Sequence, residues 1–157
     1  MKSFRILAFA LCAVVASTVH AHDKNAPLNP DLIAFMVQYE NVRAALAADN
    51  LPAAQKAAGA IVATAIAQHP GEAAPAKHLD YIGAAKDIAT ATSLDKAREA
   101  FVALSKRALH LADRQKGYFV VHCKMFPKGQ GDWVQTSPKV SNPYLGQSMS
   151  TCGTVQK

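Results

Sequence analysis

The stretch that decides the fold is "SLDKAREAFVALSKRALHL", residues 93–111. Its apolar residues recur three and four positions apart, which places them on one face of an α-helix, as in the seam of a helical bundle. Ser93 stands just before the pattern, where a serine caps the first helical turn. The stretch therefore predicts a helix that packs against other helices. The residues of its apolar face are Leu94, Ala97, Phe101, Leu104, Ala108 and Leu111.

Three further helical patterns precede this one. Residues 29–50 repeat apolar side chains at helical spacing, and residues 51–68 are rich in alanine, which suggests a close approach of two helices. A weaker pattern over residues 76–91 follows a break at residues 69–75, which hold two prolines and a glycine. Four helices with short connections predict a mainly α protein, with an up-down antiparallel four-helix bundle over residues 30–115.

The pattern changes at Gly117, beyond the fourth helix. Tyr118 to Val121 are aromatic and β-branched, so they favour an extended strand. Prolines and glycines recur after this strand and exclude another long helix. We expect a small irregular lobe with one or two short β-strands over residues 116–157, packed on the bundle. Bundle and lobe are predicted to form a single domain over residues 30–157.

The beginning of the chain has the layout of a secretory signal peptide. Residues 1–21 combine two basic residues, an apolar run too short to span a bilayer, and a small-residue cleavage site ending at Ala21. Residues 22–29 read as a flexible lead-in. We therefore expect a protein exported to the periplasm by a cleaved signal peptide, with no membrane insertion after cleavage.

Charge and motifs narrow the classes of function. The formal net charge is +6, from 17 basic and 11 acidic residues, with no polybasic run, so nucleic-acid binding is not indicated. The sequence has no glycine-rich phosphate loop, no paired-carboxylate motif and no Cys-x-x-Cys pair. We expect a protein that is not an enzyme.

Two short segments of the lobe, "HCKM" and "MSTC", carry the side chains with metal chemistry. Each contributes one thiol and one thioether, Cys123 with Met125 and Met149 with Cys152. If the segments meet in the fold, four sulfurs surround one point. Thiolate and thioether are soft ligands, which Cu(I) prefers, whereas zinc gains little from methionine. The four residues are therefore candidate ligands for Cu(I) or Ag(I).

Two neighbours of these segments have weaker claims on the site. His122 is an outside candidate for a ligand, because adjacent residues of a strand point to opposite faces and Cys123 follows it directly. Trp133 lies between the segments, where its ring could rest against a bound cation and shield it from water. Alternatively, Trp133 fills the core of the lobe.

A second interpretation needs no metal. Cys123 and Cys152 are the two cysteines left after signal cleavage, and an isolated pair in an oxidising compartment is usually a disulfide. Met125 and Met149 would then fill gaps in the core. The lobe would be a structural or protein-interaction module held by the Cys123–Cys152 disulfide, with no cofactor.

The motif "YFVVHCKMF…GDWVQ…NPYLGQSMSTCG" resembles the signature of a bacterial domain of unknown function found in exported proteins. The same domain occurs at the end of some heavy-metal RND efflux periplasmic adaptor proteins. One departure is Lys124, which stands where the family commonly has proline. The residues on the family pattern are Cys123, Met125, Trp133, Asn142, Pro143, Tyr144, Gly146, Met149, Cys152 and Gly153.

This resemblance implies a periplasmic role in copper or silver sequestration or transfer, linked to metal efflux or tolerance. Its implied partner is a periplasmic efflux adaptor or another metal-handling protein. It also implies that Pro143 and Gly146 shape a turn that presents the second sulfur segment to the first. Asn142 and Tyr144 would serve this turn as structural hydrogen-bonding residues.

Overall fold

The structure is a computed structural model that describes residues 30–68, 81–113, 115–126 and 131–156. The predicted signal peptide and lead-in lie outside the described residues. The described chain is mainly helical, and four helices pack in sequence, each on the next, with α1 also touching α4. These helices are α1 (Pro30–Ala47), α2 (Leu51–Gln68), α3 (Tyr81–Ala89) and α4 (Leu94–Ala112).

Side-chain caps begin two of the helices, and the one at Ser93 was predicted from the sequence. Asn50 accepts a hydrogen bond from the backbone N–H of Ala53 at 3.0 Å, at the start of α2. Ser93 accepts one from Lys96 at 3.3 Å, at the start of α4. Each cap satisfies an N–H group that the first turn of a helix leaves without a partner.

The predicted apolar face of α4 is buried, apart from the half-buried Leu94 at its start. Phe101 lies at its centre, and its ring stacks on Tyr39 of α1 with 5.3 Å between ring centroids. Met36 of α1 is also buried, in the core of the helices.

A small antiparallel sheet follows the helices, in the order β2-β1-β3. Its strands are β1 (Phe119–His122), β2 (Asp132–Gln135) and β3 (Thr154–Val155). One or two strands were predicted, so the sheet has one strand more than expected. The reason is that β3 has only two residues and exists through its pairing with β1, which no local pattern reveals. A 3₁₀-helix at Gly146–Met149 precedes β3.

One continuous core joins the lobe to the helices. Val134 of β2 donates its backbone N–H to the hydroxyl of Tyr39 at 3.1 Å, and the same hydroxyl lies 3.1 Å from Ser105 of α4. Phe101 contacts Tyr144 of the lobe, with 5.6 Å between ring centroids. The lobe is therefore seated on α1 and α4.

Two arginines of the helices bind backbone carbonyls of the lobe. Arg43 of α1 donates to the carbonyl of Ser141 at 2.7 Å. Arg98 of α4 donates to the carbonyl of Pro143 at 3.0 Å and to that of Leu46 at 3.1 Å. Arg98 also pairs with Asp49. These contacts fix where the segment 141–147 lies on the helices. No helix in the described ranges is both long and apolar enough to cross a bilayer.

Candidate metal centre

The fold brings the two predicted thiols together. Cys123 follows β1 directly, is fully buried, and donates its backbone N–H to the carbonyl of Gly131 at 2.9 Å. Cys152 stands two residues before β3 and is half-buried. Because β1 and β3 are antiparallel neighbours, the two residues meet where the strands end. Their sulfurs are 2.6 Å apart, although 29 positions separate them in the chain.

Gly153 allows the second segment to come this close. Its φ is +146°, and a Cβ atom there would lie 2.7 Å from the ring of Trp133 and 2.8 Å from Val121. A side chain would therefore collide with two buried residues. Trp133 lies beneath this segment and donates its indole N–H to Gln135 at 3.0 Å.

Asn142 ties the second segment to the turn that precedes it. Its side-chain amide donates to the carbonyl of Cys152 at 2.7 Å. Its side-chain oxygen accepts from the N–H groups of Tyr144 at 2.8 Å and Leu145 at 3.0 Å. The turn closes with a hydrogen bond from Gly146, at φ +55°, to the Asn142 carbonyl at 3.1 Å. Asn142 and the adjacent Pro143 are fully buried, so this turn is a fixed support for Cys152.

Tyr144 connects the same turn to the sheet and the helices. Its hydroxyl donates to the carbonyl of Asp132 at 2.8 Å, and its ring stacks on Phe126 with 4.3 Å between centroids. Burial raises the pKa of the Tyr144 phenol well above its usual value. The phenol therefore stays neutral and keeps its role as a donor.

The two methionines contact Cys152 through their backbones and not through the core. The N–H of Met125 donates to the Cys152 sulfur, and the carbonyl of Met149 accepts from the Cys152 N–H at 3.0 Å. Their side chains are 62% and 42% exposed, respectively. The interpretation that they fill gaps in the core is therefore wrong, because both side chains reach into solvent beside the thiol pair.

His122 has a partner of its own. Its Nδ1 lies 2.6 Å from a carboxylate oxygen of Asp132, the residue opposite it on β2. The preceding residue, Val121, is buried against Trp133, its partner in the register. The structure thus places the His122 ring against the Asp132 carboxylate on the sheet, while the two thiols contact each other.

The contact with Cys123 governs the protonation of Cys152. The hydrogen bond between the two thiols raises the pKa of Cys152, and partial desolvation adds to the rise. The N–H of Met125 acts in the opposite direction, because it stabilises the thiolate. A soft metal binds the thiolate, so it must displace a proton from this sulfur.

The donor set decides which metals fit. No group of three or more His, Cys, Asp or Glu side chains comes together for a metal ion in the part of the chain that the structure describes. The nearest further soft donors in the sequence are the exposed thioethers of Met125, two residues after Cys123, and Met149, three residues before Cys152. Two thiolates and thioethers suit Cu(I) or Ag(I) and do not suit zinc.

Sequence reasoning missed the residues that support the site. Asp132 engages His122, and Gly131 lies so close to the Cys123 carbonyl that a Cβ atom would collide with it. Asp49 accepts from the N–H of Gln147 at 3.2 Å, next to the turn of Gly146. The signal available was the pair of glycines, Gly131 and Gly146, since a glycine often marks a close backbone approach.

Comparisons with known proteins identify a protein family but no individual curated protein or solved structure. A search of curated proteins and a search of solved structures each found no match. A comparison with protein families matches residues 36–116, just over half of the 157-residue chain. The match covers α2 to α4 and most of α1, and it ends before the sheet and the thiol pair. The chain belongs to the family described as "Protein of unknown function (DUF3347)".

Proposed function

We propose that this is an exported protein that binds a soft metal ion, Cu(I) or Ag(I), for sequestration or transfer in metal tolerance. The proposed ligands are the reduced thiols of Cys123 and Cys152 with the thioethers of Met125 and Met149. The observation that supports it is the contact between the two thiols, 2.6 Å apart, at a place where both neighbouring methionine side chains are exposed.

The difference in exposure across the pair suits metal transfer. Cys123 is buried and held by the backbone of Gly131, so it supplies a fixed ligand on the inner side. Cys152 is half-buried, and the methionine side chains open to solvent, so a partner's ligands can reach an ion from the outer side. An ion between the thiolates requires them to part, because each metal–sulfur bond is about 2.3 Å long.

The remaining candidates have secondary roles in this proposal. His122 stays an outside candidate, because Asp132 already engages its Nδ1. Trp133 lies beneath Gly153 and excludes water from the inner side of the site. The turn of Asn142, Pro143, Tyr144 and Gly146 supports Cys152.

The proposed setting is the periplasm, and the proposed role is binding rather than catalysis. The partner would be a periplasmic efflux adaptor or another metal-handling protein, because a bound soft ion must be handed to other sulfur ligands. The signature that resembles efflux-associated proteins falls on residues 118–153, beyond the residues of the family match. This link to efflux therefore rests on the motif and on the chemistry of its ligands.

A competition titration tests the metal site. The reduced protein is titrated with Cu(I) without oxygen, against a chromophoric Cu(I) chelator. We expect the protein to take one Cu(I) from the chelator. The double variant Met125→Leu/Met149→Leu should weaken Cu(I) binding by about tenfold or more, because it removes both thioether ligands. Met36→Leu is the matched control, because Met36 is buried in the helices and should leave the affinity unchanged.

The cysteines provide the decisive comparison. Cys123→Ser/Cys152→Ser should lose nearly all competition with the chelator, while added zinc should not displace Cu(I) from the wild type. If the wild-type protein binds Cu(I) no more tightly than the double serine variant, the proposed function fails.

A second candidate function is a protein-interaction module whose lobe is held by a Cys123–Cys152 disulfide, with no metal. The same contact between the sulfurs favours it, because an oxidised pair would close a loop whose stabilisation is about 3 kcal/mol. Intact mass with and without thiol alkylation separates the two candidates, together with the metal content of protein purified without chelators. Full alkylation and bound copper support the metal site; no alkylation and no metal support the module.

A further inference from the structure

We propose that Cys152 is the sulfur at which an external dithiol reductant attacks when the Cys123–Cys152 pair is oxidised, so that thiol–disulfide exchange converts the pair to its metal-binding form. The partner implied is an exported dithiol protein. The proposal rests on the proposed function only for what the reduced pair does next, which is to bind the metal.

The two sulfurs differ in access. Cys123 has no exposed surface, because it lies in the same core as Val121 and Trp133. Cys152 is half-buried, and it contacts the backbones of Met149 and Met125, whose side chains are exposed. A thiolate from outside therefore reaches Cys152 and does not reach Cys123 without opening of the core.

The direction from which a thiolate must attack also favours Cys152 over Cys123. A thiolate displaces one sulfur of a disulfide from the side opposite the breaking bond. For Cys152 that side is away from the buried Cys123, and Cys152 keeps part of its surface exposed. For Cys123 it is the interior of the lobe, where side chains of the core are packed.

The chemistry balances with the partner as the reductant. One thiolate of the dithiol bonds to the Cys152 sulfur, the Cys123–Cys152 bond breaks, and its electron pair leaves on Cys123, which takes a proton from solvent. The partner's second thiolate then attacks the partner's own sulfur in the mixed disulfide and releases Cys152 as a thiolate. Two electrons pass from the dithiol to the pair, and the partner ends as a disulfide.

The support of Cys152 keeps the released thiols in place. Asn142 holds the Cys152 carbonyl at 2.7 Å, and Met149 holds its N–H at 3.0 Å, and neither contact involves the sulfur. Because both contacts are present in the structure, where the two cysteines are free, Cys152 lies beside Cys123 in the reduced protein. The reduced pair is therefore ready to bind a metal ion or to close again.

The test maps the first bond that forms. The oxidised protein is exposed briefly to glutathione, quenched with acid, digested and analysed by mass spectrometry. We expect the glutathione on Cys152 in about tenfold or greater excess over Cys123, because attack on a buried sulfur waits for local opening. Glutathione found mainly on Cys123, or equally on both, overturns the proposal.

A second measurement uses single-cysteine variants. Iodoacetamide should modify Cys152 in Cys123→Ser about tenfold or more faster than Cys123 in Cys152→Ser, and the two rates should become equal in denaturant. Circular dichroism verifies that each variant is folded, and the mapping on the wild type does not depend on either variant. Equal rates in the folded variants contradict the proposal.

The outcomes are separable from those of the metal titration, because neither measurement uses a metal. Exchange at Cys152 without Cu(I) binding would remove the proposed function and leave this proposal standing. Cu(I) binding together with exchange at Cys123 would support the proposed function and overturn this proposal.

Discussion

The helices and the C-terminal lobe are held in place by different interactions. The helices bury apolar faces, of which that of α4, centred on Phe101, is an example. The lobe buries polar side chains: Gln135 and Asn142 are almost completely inaccessible to solvent. The other buried polar side chains of the described residues are Arg43 and Ser105, which belong to helices. Arg43 binds the carbonyl of Ser141 in the lobe, and Ser105 contacts the Tyr39 hydroxyl that accepts from Val134 of the lobe.

This difference teaches how the thiol pair is positioned. Apolar contact is tolerant of small shifts, because it depends on buried area and not on direction. Hydrogen bonds require a given distance and angle, so the polar contacts of Arg98 and Asn142 select one placement of the lobe. The helices supply stability, and the polar contacts supply the geometry that brings Cys152 to Cys123.

The largest effect should come from removing the shared core. Phe101→Ala should lower the free energy of unfolding by about 4 kcal/mol, because the ring is fully buried between Tyr39 and Tyr144. Urea unfolding is followed by far-ultraviolet circular dichroism for the helices and by fluorescence of the chain's only tryptophan, Trp133, for the lobe.

In both wild type and Phe101→Ala the two signals should change together, since helices and lobe share one core. Val37→Ala is the control, because Val37 is 54% exposed, and its effect should be under about 0.5 kcal/mol. Separate transitions for the two signals would show that the regions are independent.

The next effect tests the polar support of the lobe. Asn142→Ala should cost about 3 kcal/mol, because it leaves the carbonyl of Cys152 and the N–H groups of Tyr144 and Leu145 without their partner. It should also speed alkylation of Cys123 in the reduced protein. Chemical denaturation and the alkylation rate measure the two results.

Asn41→Ala is the matched control for this change. Asn41 is exposed on α1, and its side-chain amide donates to the side chain of Gln38 at 3.2 Å on the helix surface, so its loss should be nearly neutral. Equal effects of the two variants would refute the distinction between lobe and helices.

Two glycines should respond with opposite signs. Gly146→Ala should destabilise the protein by about 2 kcal/mol, because φ is +55° and the new methyl group would collide with Asp49 and Arg98. Gly83→Ala, within α3, meets nothing within 4 Å and should stabilise the protein by about 0.5 to 1 kcal/mol. Thermal unfolding of both variants measures the signs, and a gain for Gly146→Ala would be inconsistent with the described turn.

A smaller loss of stability than that of Gly146→Ala is expected at neutral pH when the hydroxyl of Tyr39 is removed. Tyr39→Phe should cost about 1 kcal/mol, because Val134 loses the acceptor of its buried N–H. Burial raises the pKa of Tyr39 above its usual value near 10. Above pH 10 the unfolded chain releases this proton first, so the stabilisation by Tyr39 is present below pH 10 and declines above it.

The pH dependence of the free energy of unfolding gives a further test of the Tyr39→Phe prediction. The difference in unfolding free energy between wild type and Tyr39→Phe should shrink as the pH rises from 9 to 11. A difference that stays constant over this range would mean that the Tyr39 phenol ionises equally in both states.

The helices were largely predictable from the sequence, because their signals are local. The spacing from Leu94 to Leu111, the cap at Ser93 and the cap at Asn50 each lie within a few residues of what they determine. For the third helix, the pattern over residues 76–91 extended beyond the observed Tyr81–Ala89; residues 76–80 lie outside the described residues.

The site was predictable only in part. Grouping of sulfur residues indicated that Cys123 and Cys152 belong together, and their contact in the fold agrees with either a metal or a disulfide. The contact of His122 with Asp132 depends on the register of β1 and β2, which no local pattern specifies. Arg98 lies outside the predicted apolar face of α4, and its binding of the Pro143 carbonyl follows only from how the lobe docks.

The hydroxyl of Tyr39 also has a consequence for association between molecules. An outer strand of a sheet offers backbone groups to which a foreign strand can add, and such addition leads to aggregation. On β2 the N–H of Val134 is already bound by Tyr39, beneath the helices. On the opposite side, β3 is two residues long, too short to template a further strand. The lobe is thereby protected against edge-to-edge polymerisation, even though its sheet is small and open.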